Sequence, residues 1–112
     1  MSRVSAAARA DPAPVFAALG DPTRLSLLRK LSAGGRQSIA ALSADTELTR
    51  QAVTKHLHVL EAAGLVSSER VGRESRFAFE PAPIGGARAY LDGVAAQWDD
   101  ALIRLKAFVE RS

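Results

Sequence analysis

Residues 48–64, with the sequence LTRQAVTKHLHVLEAAG, carry the clearest structural signal in the chain. Val53, Leu57 and Leu60 recur at the spacing i, i+4, i+7, which places them on one face of an α-helix. Thr49 can accept the free amide hydrogens of the first turn, and Gly64 can end the helix in a left-handed conformation. The segment therefore predicts an amphipathic helix from about residue 50 to residue 63.

The other face of this predicted helix is polar. Arg50 could donate two hydrogen bonds to guanine, Gln51 could pair in the same way with adenine, and Thr54 can reach a thymine methyl group. The other two polar side chains of this face, Lys55 and His58, are better placed to contact phosphates. No acidic residue occurs between Glu47 and Glu61, whereas a face that is only solvated usually mixes acids with bases. The predicted DNA-reading set is Thr49, Arg50, Gln51, Thr54, Lys55 and His58.

A second, shorter helix precedes this one. Residues 38–44 predict a helix with Ile39 and Leu42 facing inward, and the short, mostly polar segment 45–48 predicts a tight turn. Two helices joined by about four residues are typical of a helix-turn-helix motif, in which the second helix enters the major groove of DNA.

Two further helices are predicted upstream. The first covers residues 12–19. The second begins at Asp21, whose side chain can cap it and which is followed by proline, a residue suited to the first helical position. We expect Leu25, Leu28 and Leu31 to form its apolar stripe.

A β-hairpin is predicted after the helix-turn-helix. Residues 66–71 and 75–80 resemble strands, with residues 72–74 as the turn. A basic loop of this kind can follow a phosphate backbone or enter a minor groove. The alternative is a solvated hairpin in which Glu69 and Glu74 balance the charge locally. The predicted DNA contacts of the hairpin are Arg70, Arg73 and Arg76.

The last predicted helix runs from about residue 84 to residue 109. Its apolar residues keep an unbroken 3-4 spacing, which gives a wide apolar stripe. Leaving its large side chains in water would forfeit about 10 kcal/mol, so the stripe must be covered. We predict self-association, although packing against the first helix of the same chain is an alternative. The predicted dimer-interface residues are Val15, Phe16, Leu91, Val94, Trp98, Leu102, Leu105 and Phe108.

Composition limits the classes of protein that fit. The chain has 112 residues, of which 47% are apolar and 24% charged, as expected for one globular domain. We assign residues 12–112 to that domain and residues 1–11 to a flexible arm. The net charge is +3, and residues 24–76 hold nine basic and five acidic residues. No apolar run reaches the roughly 20 residues that span a bilayer, so a cytoplasmic location without membrane contact is expected.

Catalytic and metal-binding sets are missing from the sequence. There is no cysteine, no Ser/His/acid set and no glycine-rich phosphate loop, so we expect neither an enzyme nor a cofactor. His56 and His58 stand two residues apart, so they point in different directions on a helix and cannot chelate one metal. We expect His56 to pack beside the helical core with one ring nitrogen hydrogen-bonded.

Several of these segments together resemble the ArsR/SmtB family of bacterial repressors. Residues 21–28, DPTRLSLL, resemble the opening of its second helix. Residues 48–57 and 60–66 resemble its recognition helix and the exit from it, and residues 72–77 resemble its wing. The resemblance implies a mainly α winged helix-turn-helix fold with a small β-hairpin wing, in the order α-α-α-α-β-β-α. It also implies dimerisation through the terminal helices and repression at an inverted repeat near the protein's own promoter.

Members of this family often release DNA when they bind a metal ion, but the metal-sensing motifs are missing here. The thiolate motif would fall within residues 37–42, which contain no cysteine, and the last helix contains no histidine. The pattern around Trp98 is similar to a metal-independent branch. The sequence therefore leaves open whether the protein binds a small-molecule inducer. The alternative function is a winged-helix protein–protein adaptor that does not bind DNA.

Overall fold

A computed structural model describes residues 11–111. Its helices are α1 (Ala13–Leu19), α2 (Pro22–Gly34), α3 (Ile39–Ser43), α4 (Arg50–Ala62) and α5 (Ala82–Arg111). Its strands are β1 (Gln37–Ser38), β2 (Val66–Val71) and β3 (Glu74–Phe79). The mainly helical winged helix-turn-helix order is confirmed, with one more strand than predicted. Residues 1–10, which make up most of the predicted arm, lie outside the described residues.

The ends of α4 form as its sequence predicts. The Thr49 hydroxyl accepts a hydrogen bond of 3.0 Å from the Ala52 backbone N–H and so caps the helix. At the other end Gly64 has a φ of 78°, a conformation that favours glycine. This turn lets the Leu65 N–H donate back to the Leu60 carbonyl, and Leu65 enters the core directly after the helix.

The sheet has three antiparallel strands in the order β1-β3-β2. The hairpin turn is shorter than predicted, because Val71 pairs directly with Glu74 and only two residues separate the strands. Gly72 has a φ of 65°, which allows so tight a turn. Both the turn and the second strand therefore differ by one residue from the predicted bounds. Strand β1, which pairs with the other side of β3, was not predicted.

The hydrophobic core joins all the elements of the winged body. Its most buried large side chains are Leu27, Leu31, Leu42, Val53, Leu57, Leu60 and Leu65. The predicted stripe of α2 was wrong at one position, since Leu25 is 38% exposed and Leu27 is 2% exposed. Because α2 contacts α1, α4 and β3 together, it buries adjacent positions rather than one narrow stripe.

Within residues 11–111, α5 packs against α1 near its own start. Ala87 is buried, and the Tyr90 ring lies 6.1 Å from the ring of Phe16 on α1. Beyond this point nearly every residue of the helix is exposed. At 1.5 Å per residue the 30-residue helix is about 45 Å long, so it projects far from the winged body. No helix within residues 11–111 combines the length and apolarity needed to cross a membrane.

Candidate nucleic-acid interface

Helix α4 has one buried face and one polar face. Val53, Leu57 and Leu60 are fully buried, which fixes the rotation of the helix about its axis. The side chains on the opposite face of α4 line a single shallow depression. These side chains are Arg50, Gln51, Thr54, Lys55 and His58. Thr49 is exposed just before them, and its hydroxyl serves as the helix cap.

The predicted polar side chains are not equally available. Arg50, Gln51, Lys55 and His58 are exposed, and none of them takes part in an ion pair within the described part of the chain. Thr54 is half-buried, and its hydroxyl donates a 2.7 Å hydrogen bond to the Arg50 carbonyl. Thr54 is therefore held against the helix, which leaves its oxygen as an acceptor and its methyl group for contact.

A groove of about 310 Å³ connects α4 to the hairpin. Arg50 and Thr54 line it from the helix, and Arg73 and Ser75 line it from the wing. Ser38, Ile39 and Ala40 line it at the start of α3, and the acidic Glu74 also lines it from the wing. The hairpin tip therefore lies beside the first turns of α4, so one ligand can contact both.

The predicted basic residues of the wing do not act as one group. Paired residues in a sheet share a face, so Arg70 lies on the face of its partner Ser75, a residue of the groove. Arg76 follows Ser75 along β3, and its Nε donates to Oε1 of Glu74, a residue of the groove, at 3.1 Å. The local pairing of Arg76 with Glu74 is the charge balance that the solvated-hairpin alternative describes.

A polar network supports α4 from behind. Arg24 Nε donates to the Ala18 carbonyl at 2.7 Å, and Arg24 Nη1 lies 3.3 Å from His56 Nδ1. The carboxylate of Asp21 lies 3.9 Å from the same ring nitrogen. The expected hydrogen bond of a half-buried His56 is confirmed, and its partner Arg24 is a residue that the sequence did not single out.

The charge state of Asp21 reflects this network. The Arg24 backbone N–H donates to Asp21 Oδ2 at 3.0 Å and lowers the pKa of the carboxyl group below its usual value. The positive charge of Arg24 and the nearby His56 act in the same direction, whereas desolvation opposes them. Asp21 thus caps α2 as an anion and joins the α1–α2 corner to α4.

Most of the predicted interface residues on the terminal helices are exposed. The members more than half exposed are Leu91, Trp98, Leu102, Leu105 and Phe108. Phe16 and Val94 are half-buried. Val15 is a correction to the set, because it is 7% exposed and lies in the core of its own chain. It offers a second subunit little surface.

Metal ligands do not gather in the described residues. Across residues 11–111, no three His, Asp or Glu side chains lie close enough to hold a metal ion together.

Comparison with known proteins agrees with this geometry. The family described as a helix-turn-helix domain matches residues 19–69. The HTH-type transcriptional regulator YuzN of Bacillus subtilis is 41% identical over 76 residues, which are 62% of this chain and 83% of that protein. The HTH-type transcriptional regulator Rv2034 of Mycobacterium tuberculosis is 32% identical over 82 residues, or 73% of this chain and 76% of that one.

Solved structures give the same result. The structure of an ArsR-like transcriptional regulator from Rhodococcus sp. RHA1 is 38% identical, with a TM-score of 0.79 over 91% of this chain and 95% of that one. The fold and the exposed face of α4 define a winged helix-turn-helix DNA-binding protein. The chain belongs to the ArsR family of transcriptional regulators.

Proposed function

We propose that the protein is a homodimeric transcriptional repressor that binds an inverted-repeat operator in double-stranded DNA. One observation carries the proposal: the exposed face of α4 and the tip of the hairpin line the same groove, through Arg50 and Arg73. A helix fits the major groove, and a basic wing beside it can follow the phosphate backbone.

The side chains of this surface suit different tasks. Arg50 and Gln51 stand at the start of α4, and in a helix-turn-helix the start of the recognition helix contacts the base edges. We assign them to base reading, with Thr54 beside them. The phosphate contacts are assigned to Lys55, His58, Arg70 and Arg73.

The exposed stripe on α5 supports the homodimer. Trp98 is 65% exposed and Leu105 is 56% exposed, which is costly for apolar side chains in water. A dimer related by a twofold axis covers the same stripe on both copies and presents two α4 helices. Such a dimer binds two half-sites of opposite orientation, spaced by one helical turn or a multiple of it.

The proposal is tested with labelled duplex from the promoter of the protein's own gene. Fluorescence anisotropy at two salt concentrations, with competitor DNA, measures affinity and specificity, and a mass measurement gives the state of the free protein. We expect a dimer that binds this duplex specifically and more weakly at higher salt. Arg29→Ala serves as the control for Arg50→Ala, because Arg29 is an exposed arginine of α2 away from the groove.

If the protein is instead a protein–protein adaptor, it should not bind the promoter duplex specifically. A folded dimer that ignores every promoter duplex, or binds all duplexes equally, would contradict the repressor. If binding is specific, the same assay can be used to screen for a small-molecule inducer, which would release the labelled DNA.

A further inference from the structure

The turn between α3 and α4 is held by one side chain of α2. Lys30 Nζ donates to the backbone carbonyl of Leu42 at 3.2 Å and pairs with the carboxylate of Asp45. Leu42 lies near the end of α3, and Asp45 lies in the turn that follows. One ammonium group therefore joins α2 to both sides of the point where α3 ends. We call this pair of contacts the Lys30 clamp.

The last carbonyls of α3 find their donors in different places. The final carbonyls of an α-helix have no partner within the helix itself. The Ser43 carbonyl is satisfied by the turn, because the N–H and the hydroxyl of Thr46 both donate to it. The Leu42 carbonyl instead accepts from the ammonium group of α2. Because Leu42 is fully buried, losing this donor would leave a costly unpaired carbonyl.

The ionic half of the clamp is more exposed than the carbonyl half. The side chain of Lys30 is 26% exposed, and that of Asp45 is 73% exposed. The hydrogen bond and the positive charge of Lys30 lower the pKa of Asp45, so this carboxyl group is an anion at neutral pH. Exposed ion pairs contribute little to global stability. The ionic half should therefore act mainly on the local position of the turn.

The clamped turn leads directly into the DNA-reading face. Only residues 46–48 separate Asp45 from Thr49, which caps α4, and Arg50 and Gln51 follow at once. The first fully buried residue of α4 is Val53, which comes after all of them. The base-reading end of α4 thus lies between an anchor in the core and the clamp on the turn.

We propose that Lys30 is a positioning residue for DNA binding, whose ammonium group fixes the α3–α4 turn and so presets the start of α4 for base reading. The inference rests on the proposed DNA-binding function and assigns Lys30 no contact with DNA. A preset reading end avoids the cost of ordering a loose turn on binding. Loss of the clamp should weaken DNA binding without changing the number of phosphate contacts.

A charge-matched pair of variants tests this role. Lys30→Met keeps an apolar side chain of similar length but removes the ammonium group, and Arg29→Met removes one positive charge from the exposed neighbouring position. Anisotropy with the promoter duplex over a series of salt concentrations compares the two. Lys30→Met should bind about tenfold more weakly than Arg29→Met, with the same salt slope. Lys30→Arg should recover most of the affinity, since a guanidinium also donates to a carbonyl and a carboxylate.

Hydrogen–deuterium exchange of the free protein gives a readout that does not depend on DNA. In Lys30→Met the backbone amides of residues 44–52 should exchange faster than in the natural chain, because the turn opens locally. The amides of β2 and β3 should exchange as before. Urea unfolding of the same variants measures any change in global stability.

A milder pair of variants separates the two halves of the clamp. Asp45→Asn removes the ionic half and leaves the bond from Lys30 to the Leu42 carbonyl. Glu47→Gln is its control, because Glu47 is an exposed acid of the same turn and forms no ion pair within residues 11–111. Both variants remove one negative charge from the turn. Asp45→Asn should bind the duplex about two- to threefold more weakly than Glu47→Gln.

Three results would overturn this role of Lys30 while leaving specific DNA binding intact. Equal affinities of Lys30→Met and Arg29→Met would show that the clamp does not position α4. A salt slope reduced by about one unit in Lys30→Met alone would show a direct phosphate contact instead. Faster exchange throughout the chain, with a matching loss of stability, would show a general structural role. If the natural chain binds no duplex specifically, the proposed function fails and this inference fails with it.

Discussion

Arg50 and Arg73 reach the same groove from different elements, and their surroundings give them different tasks. Arg50 projects from the first turn of α4, so in the proposed complex it would enter the DNA groove with the helix. Arg73 stands at the tip of a two-residue turn and pairs with no acidic side chain within residues 11–111. A planar guanidinium suits both a guanine edge and a phosphate, so position decides between them.

Replacing a base-reading side chain should relax specificity locally. We expect Arg50→Ala or Gln51→Ala to cost about 1–3 kcal/mol at one operator base pair and to bring the four bases at that position closer in affinity. Anisotropy with a set of single-base operator variants measures this effect. Equal losses at all positions, or no loss compared with Arg29→Ala, would contradict base reading.

Replacing the wing arginine should act on every sequence alike. Arg73→Ala removes one phosphate contact, so it should weaken specific and non-specific duplexes together and reduce the salt slope by about one unit. Arg76→Ala is the matched control, because Arg76 already pairs with Glu74. An unchanged slope for Arg73→Ala, or an equal change for both variants, would count against this role.

At the scale of the elements, the corner between α1 and α2 fixes α4 through Asp21, Arg24 and His56. Because its pKa is lowered in the folded chain, Asp21 stabilises the fold above the ordinary value of 3.8, and this contribution is lost as pH falls through the lowered pKa. Asn caps a helix about as well as Asp but carries no charge.

Asp21→Asn should therefore be less stable than the natural chain at pH 7. The difference in the free energy of unfolding should shrink as the pH falls below 3.8, where the unfolded carboxyl group and then the folded one become protonated. Urea unfolding at several pH values measures it. A difference that stays constant down to low pH would show that the charge of Asp21 has no part in stability.

The helix-turn-helix could be predicted because α4 is long enough to show a helical period and follows the short α3 after a tight turn. Strand β1 could not, since two residues have no period and Gln37 becomes a strand only by pairing with Phe77. The predicted stripe of α2 failed at Leu25 for a related reason. Packing against several elements at once broadens the buried face beyond what a helical period indicates.

The positions of the polar residues in the candidate site could be predicted from the helical period of α4. Every polar residue of the α4 face lies where its offset from Val53 and Leu57 indicates. The sequence left the role of Arg76 open between DNA contact and local charge balance, because its pairing with Glu74 depends on the length of the hairpin turn. With a three-residue turn Glu74 would lie in the turn, whereas the two-residue turn places both side chains on one face of β3.

At the scale of the whole molecule, a small winged body carries a helix that projects away from it, and the described chain measures 70 × 40 × 20 Å along its principal axes. Such a shape leaves apolar surface that a second copy can cover. Dimerisation would therefore both bury the stripe and set the distance between the two α4 helices.

A substitution on the stripe should separate the subunits. Leu105→Ala should weaken the dimer by about 2 kcal/mol or more, because a leucine leaves the interface in each copy. Ile103→Ala is the matched control, since Ile103 is equally apolar and 65% exposed but lies off the stripe. Sedimentation equilibrium gives the dissociation constants. Equal effects of the two variants would contradict an interface on the stripe.

The most direct test of the dimeric repressor is the number of chains on one operator. Native mass spectrometry and anisotropy are compared for the intact inverted repeat and for a duplex with one half-site replaced. We expect two chains on the intact operator and at least about a tenfold loss of affinity when one half is replaced. One chain per duplex, or equal affinity for both duplexes, would contradict the account.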